Sequence, residues 1–266
     1  MQGVWWIRKE SPAESRRARR AAARAEENCV EFAKRRLGFE ADEKQRLVLD
    51  STARRGILNC TRQWGKSTVA AVKAIHHAYT IPGSLVLVAS PSGRQSGEFL
   101  HKVCELLSTA GVRGRGDGYN ELSVRFPNGS RIVGLPGVDG TGRGFSSVSL
   151  MIIDEASRVE DRMYRALRPM LAVGGGELWL LSTPNQKRGF FYEIWEHGGP
   201  AWMKVRAPAT ECARIRQEFL EEEVAEHGED EFRREYLCEF LDSGEAVFDR
   251  GLLERAMDDE VKQLEL

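Results

Sequence analysis

Along most of the chain, short apolar runs alternate with stretches whose apolar positions recur every three or four residues, the pattern of buried strands each leading into a helix. Gly56-Ile57-Leu58-Asn59 reads as a short buried strand, and Ser84–Ser90 (SLVLVAS) and Leu150–Ile153 as apolar runs of parallel-strand length. Glu177–Asn185 (ELWLLSTPN) is another, stopped by Pro184, and 201–208 (AWMKVRAP) a further one. The helical stretches are Val69–Tyr79, which is rich in Ala, 92–111, which puts Phe99, Leu100, Val103, Leu106, Leu107 and Ala110 on one face, then 158–171, 189–198, 214–228 and 229–241. LSVRF and RIVGL around Pro127-Asn128-Gly129-Ser130 predict a β-hairpin. Two segments resist assignment to any regular element, the basic loop Arg113–Gly118 and the glycine-rich 137–147. Residues 11–36, rich in Ala, Arg and Glu, predict one helix.

Between the first strand and the first helix of this series lies CTRQWGKST, Cys60 to Thr68. A tight turn into a helix aims successive N–H groups and the positive helix end at one point, the arrangement that holds phosphates. Cys60, Thr61, Arg62, Gln63, Trp64 and Gly65 would form the loop, with Gly65 allowing close approach. Lys66 would reach the β and γ phosphates, Ser67 would ligate Mg²⁺, and Thr68 would lie near the α phosphate. Cys60 stands where the usual pattern begins with Gly. Asp154 and Glu155 follow directly on an apolar strand, at the end where open parallel sheets bind ligands. Asp154 would hold Mg²⁺, and Glu155 would polarise the water attacking the γ phosphate. A carboxamide upstream of such a loop, here Gln45, matches the edge of adenine. Ser182, Thr183 and Asn185 end another strand and would sense the γ phosphate if that strand lies beside the loop's strand.

The 266 residues carry a net charge of −1, which hides a gradient. Residues 1–36 have ten Lys/Arg against five Asp/Glu, whereas residues 211–266 have seven against 19. That asymmetry permits a polyanion partner on the basic side. Five widely spaced cysteines without a CxxC pair exclude a disulfide framework or zinc site, and no apolar run has membrane-spanning length.

Gln45, CTRQWGKST, SPSGRQS at Ser90–Ser96, Arg143 ahead of LMIIDEAS, and LLSTPN occur in an order that resembles the ATPase domain of the large terminase subunit of tailed bacteriophages, over about residues 28–245. The resemblance implies an α/β fold, a P-loop NTPase of the additional-strand, catalytic-Glu type: a central, mainly parallel sheet flanked by helices, with 177–182 as the extra strand between the loop strand and the acidic strand. It divides the chain into a basic helical arm (1–36), the ATPase domain (37–245) and a linker (246–266). It implies that Gln45 binds adenine, that Arg62 positions the γ phosphate, that Ser182, Thr183 and Asn185 couple hydrolysis to movement, and that Arg143 is an arginine finger acting on a neighbouring subunit.

The activity implied is ATP-driven, Mg²⁺-dependent translocation of double-stranded DNA into a procapsid. The implied partners are the portal protein, the small terminase subunit and further copies of the chain in a ring of five, the isolated domain being expected as a monomer. The place of action would be the host bacterial cytoplasm, transiently at the procapsid. Lys102, Arg113, Arg115 and Arg131, which cluster around the basic loop and hairpin, are the expected DNA contacts. No DNA cleavage is expected, because full-length relatives carry that chemistry in a second domain. Competing readings are a helicase-like DNA-dependent ATPase and a nucleotide-binding assembly module with little turnover.

Overall fold

The computed structural model describes residues 27–111, 122–135 and 145–242. In chain order the elements are α1 (Cys29–Leu37), α2 (Glu43–Leu49), β1 (Arg55–Cys60), α3 (Lys66–Thr80), β2 (Leu85–Ala89), α4 (Gly93–Thr109), β3 (Ser123–Arg125), β4 (Arg131–Leu135) and β5 (Leu150–Asp154). They continue as α5 (Asp161–Leu167), β6 (Glu177–Ser182), α6 (Gly189–His197), β7 (Met203–Ala207), α7 (Gln217–His227) and α8 (Glu229–Glu235).

Seven strands form one sheet in the order β3-β4-β2-β5-β6-β1-β7, with β3 antiparallel to β4 and every other pairing parallel. The expected hairpin is β3–β4. The expected extra strand is β6, which pairs with β5 on one side and β1 on the other. The carboxyl ends of β1, β5 and β6 are thereby neighbours, which is what brings the loop, the acid pair and the Ser-Thr-Pro-Asn segment to one edge.

Successive strand residues face opposite sides of a sheet, and the central strands are apolar on both. Leu58, Val86, Val88, Ile152, Trp179 and Leu181 pack under α1–α4, while Ile57, Leu87, Met151, Ile153, Leu178 and Leu180 pack against the α5–α6 side. This double burial accounts for continuous apolar runs where a half-exposed strand would alternate.

Three helix expectations are corrected. The helix expected over 11–36 is not continuous through 28: Asn28 is extended (φ −65°, ψ 160°) and its side chain accepts the Glu31 N–H at 2.8 Å, so α1 begins afresh after a cap. Residues 1–26 lie outside the described part. The helix expected over 158–171 is α5 with a short 3₁₀ turn on each side, Pro169 lying in the second. The last helix ends at Glu235, not 241, because the chain beyond finds tertiary partners: Tyr236 O accepts from Ala209 N at 2.7 Å, and Leu241 exchanges hydrogen bonds with Asn185 and Lys187. The 246–266 linker and the loops carrying Arg113, Arg115 and Arg143 lie outside the described residues.

Candidate active site

The loop after β1 turns on two left-handed residues, Gln63 (φ 61°) and Gly65 (φ 93°). Gly65 is the N-cap of α3, and Lys66 opens the helix. A Cβ at Gly65 would stand 3.2 Å from the Gln45 carboxamide nitrogen, so glycine meets a demand of both conformation and space. Cys60 is fully buried in the core beneath α3, and burial pushes its thiol well above the usual range. Its role is that of a small apolar residue of the core.

Strand geometry alone would send the neighbours Asp154 and Glu155 to opposite faces. Glu155 instead adopts a left-handed conformation (φ 52°, ψ 43°) that starts a 3₁₀ turn and directs its carboxylate to the edge where Lys66 lies. A non-glycine residue there stores about 1–3 kcal/mol of strain, of the sort found where function dictates side-chain direction. Lys66 Nζ is 3.3 Å from Glu155 Oε1, and Ser67 Oγ donates to Asp154 Oδ2 at 3.0 Å. Asp154 Oδ1 accepts the Glu155 backbone N–H at 3.0 Å. Burial and then the Glu155 charge raise the Asp154 pKa to about 6, against the pull of Lys66 and these two hydrogen bonds. A further cation beside it would lower that value.

Lys66, Ser67 and Glu155 border a cavity of about 490 Å³ whose lining also includes Arg62, Thr68, Gln95, Lys102, Arg158 and Thr183, while Asp154 lines a second cavity of about 390 Å³ that shares Ser67 and Glu155 with the first. A groove of about 550 Å³ between α1 and the β3–β4 turn lies at the far ends of α3 and α4, lined by Phe32, Tyr79, Leu107 and Phe126 together with Arg35, Arg36 and Asn128. Thr183 Oγ1 is buried with no hydrogen-bond partner among the described residues, an orphaned polar atom beside this polar cavity. Ser182 is set further in, fully buried, with its Oγ 2.8 Å from Ser157 Oγ and 3.5 Å from Glu155 Oε2. Asn185 stands apart, its carbonyl accepting from Leu241 N at 3.2 Å.

Other expected residues are placed differently. Gln45 is fully buried and does not line the cavity: its Oε1 accepts from Asp42 N at 3.1 Å, and its Nε2 donates to the Trp64 carbonyl at 2.9 Å. It closes a capping box on α2 and fastens the loop from behind. The DNA cluster is not assembled by the described residues. Lys102 lines the phosphate-sized cavity, whereas Arg131 opens β4 at the opposite edge of the parallel sheet, with its guanidinium 5.8 Å from the Phe145 ring centre. Arg62 does line the cavity, yet its Nε is bound to Glu235 at 2.6 Å. Sequence reasoning passed over Arg158, Gln95 and Glu235. Gln95 lies within the SPSGRQS segment already singled out, while no periodicity or spacing marks Arg158 or Glu235.

Loop, lysine, hydroxyl and paired acids on two parallel strands with one strand inserted between them define a P-loop NTPase. Residues 57–255 match the family described as "Terminase large subunit, T4likevirus-type, N-terminal", and the chain belongs to that family. The terminase large subunit of Thermus phage G20c is 26% identical over an alignment covering 80% of this chain and 51% of that protein, and that of Thermus virus P23-45 is 25% identical with the same coverage. The chain thus spans about half the length of these relatives. Among solved structures, the large terminase ATPase domain of Thermus phage P74-26 superposes with a TM-score of 0.71 at 22% identity, covering 81% of this chain and all of that one. The HK97 bacteriophage large terminase gives 0.66 at 16%, covering 80% and 55%. A large terminase from a thermophilic bacteriophage, solved in complex with ADP, gives 0.64 at 15%, covering 76% and 54%.

Proposed function

We propose that this chain is the ATP-hydrolysing motor domain of a genome-packaging enzyme, coupling hydrolysis to translocation of double-stranded DNA into a procapsid. The observation that carries the proposal is the pairing of Lys66 with Glu155 at 3.3 Å and of Ser67 with Asp154 at 3.0 Å, beside two cavities that share Ser67 and Glu155 in their linings. The large terminase solved with ADP has also been solved with ATP-γ-S, and the two complexes support the nucleotide.

Ser67 Oγ and Asp154 Oδ2, a hydroxyl and a carboxylate 3.0 Å apart, are the hard oxygen donors that Mg²⁺ takes, and Asp154 would hold the ion once ionised. When bound, the ion would offset negative charge on the β and γ phosphates. Lys66 and the loop N–H groups bind and orient the triphosphate. Glu155, freed from Lys66 by the arriving phosphate, accepts a proton from the attacking water at its carboxylate. Arg62 and Arg158 add positive charge at the rim, and Thr183 Oγ1 is the group beside the cavity best able to report the γ phosphate to the segment after β6.

Arg143 is proposed as a finger contributed to the adjacent subunit of a ring, which would make turnover depend on assembly on the portal. Mixing Arg143→Ala with Glu155→Ala subunits tests it: recovered hydrolysis supports the trans role, and none under any assembly condition removes it. The test of the whole reading is ATP hydrolysis with and without duplex DNA and portal, in wild type and Lys66→Ala. A wild-type rate in Lys66→Ala would sink it.

A further inference from the structure

Glu235 is the last residue of α8, and its side chain is only 5% exposed. Its Oε2 accepts from Arg62 Nε at 2.6 Å, and its Oε1 accepts from Arg158 Nη2 at 3.2 Å with Arg234 Nε 3.7 Å away. Its own carbonyl accepts from Thr61 Oγ1 at 2.9 Å and from Arg62 N at 3.4 Å. Side chain and backbone of one residue therefore grip the phosphate loop and, through Arg158, the turn that carries Glu155.

A buried carboxylate needs cations and donors about it, so pairing alone would not distinguish Glu235 from a structural ion pair. Its partners do. Arg62 comes from the loop and Arg158 from the turn after β5, and both line the same cavity. The other arm of Arg158 already donates one long hydrogen bond, 3.4 Å, to Glu155 Oε2. If Glu235 were neutral, Arg158 would have Glu155 as its remaining anion. A guanidinium fork settled on that carboxylate would occupy the oxygens that must accept a proton from water.

We propose that Glu235 is a positioning residue for hydrolysis: it holds Arg62 and Arg158 at the rim of the phosphate cavity and limits Arg158 to one long hydrogen bond with Glu155. The inference rests on the ATPase reading above and extends it to a residue that touches neither nucleotide nor water.

The test is steady-state ATP hydrolysis with Mg²⁺ by wild type, Glu235→Gln, Glu235→Asp, Arg158→Gln and the double variant Glu235→Gln/Arg158→Gln, with Lys66→Ala as control. Glu235→Gln should lower kcat at least about tenfold with KM within about threefold of wild type. Glu235→Asp should recover part of the loss. Because Glu235 acts through Arg158, the double variant should be no slower than the slower single one. Should Glu235→Gln lack a cooperative melt, Glu235→Asp replaces it in the cycle. A wild-type kcat in the Glu235 variant while Lys66→Ala is inactive overturns the positioning role alone, as do losses that multiply in the double variant. A wild-type rate in Lys66→Ala overturns the ATPase reading and this inference with it.

Discussion

Nζ of Lys66 stands 3.3 Å from Oε1 of Glu155, both side chains largely buried. The two charges neutralise each other where a triphosphate would part them, so Lys66 and Glu155 should fail in different ways. Glu155→Gln removes the acceptor for the water proton and should lower turnover by about 10²-fold or more, the usual worth of a general base. It should leave the ATP dissociation constant within a few-fold. Lys66→Ala should lose binding and turnover together. Calorimetric titration beside a hydrolysis assay separates the two, and a Glu155→Gln protein as active as wild type would point to the low-turnover reading.

Gln45 yields a prediction opposite to the one its sequence position suggested. Its carboxamide is committed to Asp42 and to the Trp64 carbonyl. Gln45→Ala should therefore destabilise the fold by about 1–2 kcal/mol through the lost cap and an unpaired buried carbonyl. Nucleotide affinity should fall without any change in the preference for ATP over GTP. Competition binding of the two nucleotides decides, since a change in that ratio would restore the contact to adenine.

Gly56 in β1 lies against Trp179 in β6: a Cβ at 56 would be 2.2 Å from the indole Cε3. Trp179 is itself 1% exposed and carries the Lys73 ammonium 4.5 Å from its ring centre on α3. The ring has nowhere to go. Gly56→Ala should cost about 3 kcal/mol or more, at the upper end for overpacking, read as a lower urea midpoint with the slope unchanged.

Acid should weaken the fold through α3. Burial lowers both His76 and His77 from the usual 6.5. His77 Nε2 is 3.0 Å from Ser149 Oγ, which gives its own proton to the Leu85 carbonyl, so the imidazole is the donor there and its Nδ1 faces Glu177 at 4.0 Å. Below about pH 6.5 the unfolded chain binds protons that the folded chain refuses. The stability from these two groups is therefore complete above pH 6.5 and lost as pH falls toward their lowered values. Asp154 works the other way: raised to about 6, it takes up a proton in the folded state before the unfolded one does. The histidines and Asp154 therefore act in opposite directions, and an Asp154→Asn variant, in which only the histidines contribute, should be less stable at pH 5.5 than at 7.5. Urea unfolding at the two pH values measures it, and equal midpoints would show the histidines already protonated when folded.

Much of the fold was legible because its signals are local. An apolar run between turn residues specifies a buried strand wherever it lies, and CTRQWGKST between such a run and an Ala-rich helix carries its own geometry in Gly65 and Lys66. The same holds for Asp154-Glu155 at a strand end. Helix limits were less legible, as at Asn28 and beyond Glu235, where a cap or a distant backbone partner competes with helix-forming composition.

What the sequence by itself determined, then, is the set of elements and the chemical identity of the loop, its lysine and the acid pair, since each rests on residues a few positions apart. Only the tertiary structure decided that Gln45 fastens the loop from behind, that Lys102 faces the cavity, and that Glu235 reaches Arg62 across 173 positions of chain. Such contacts depend on how the sheet orders its strands and where the chain after α8 finds its backbone partners, and no spacing along the chain encodes either.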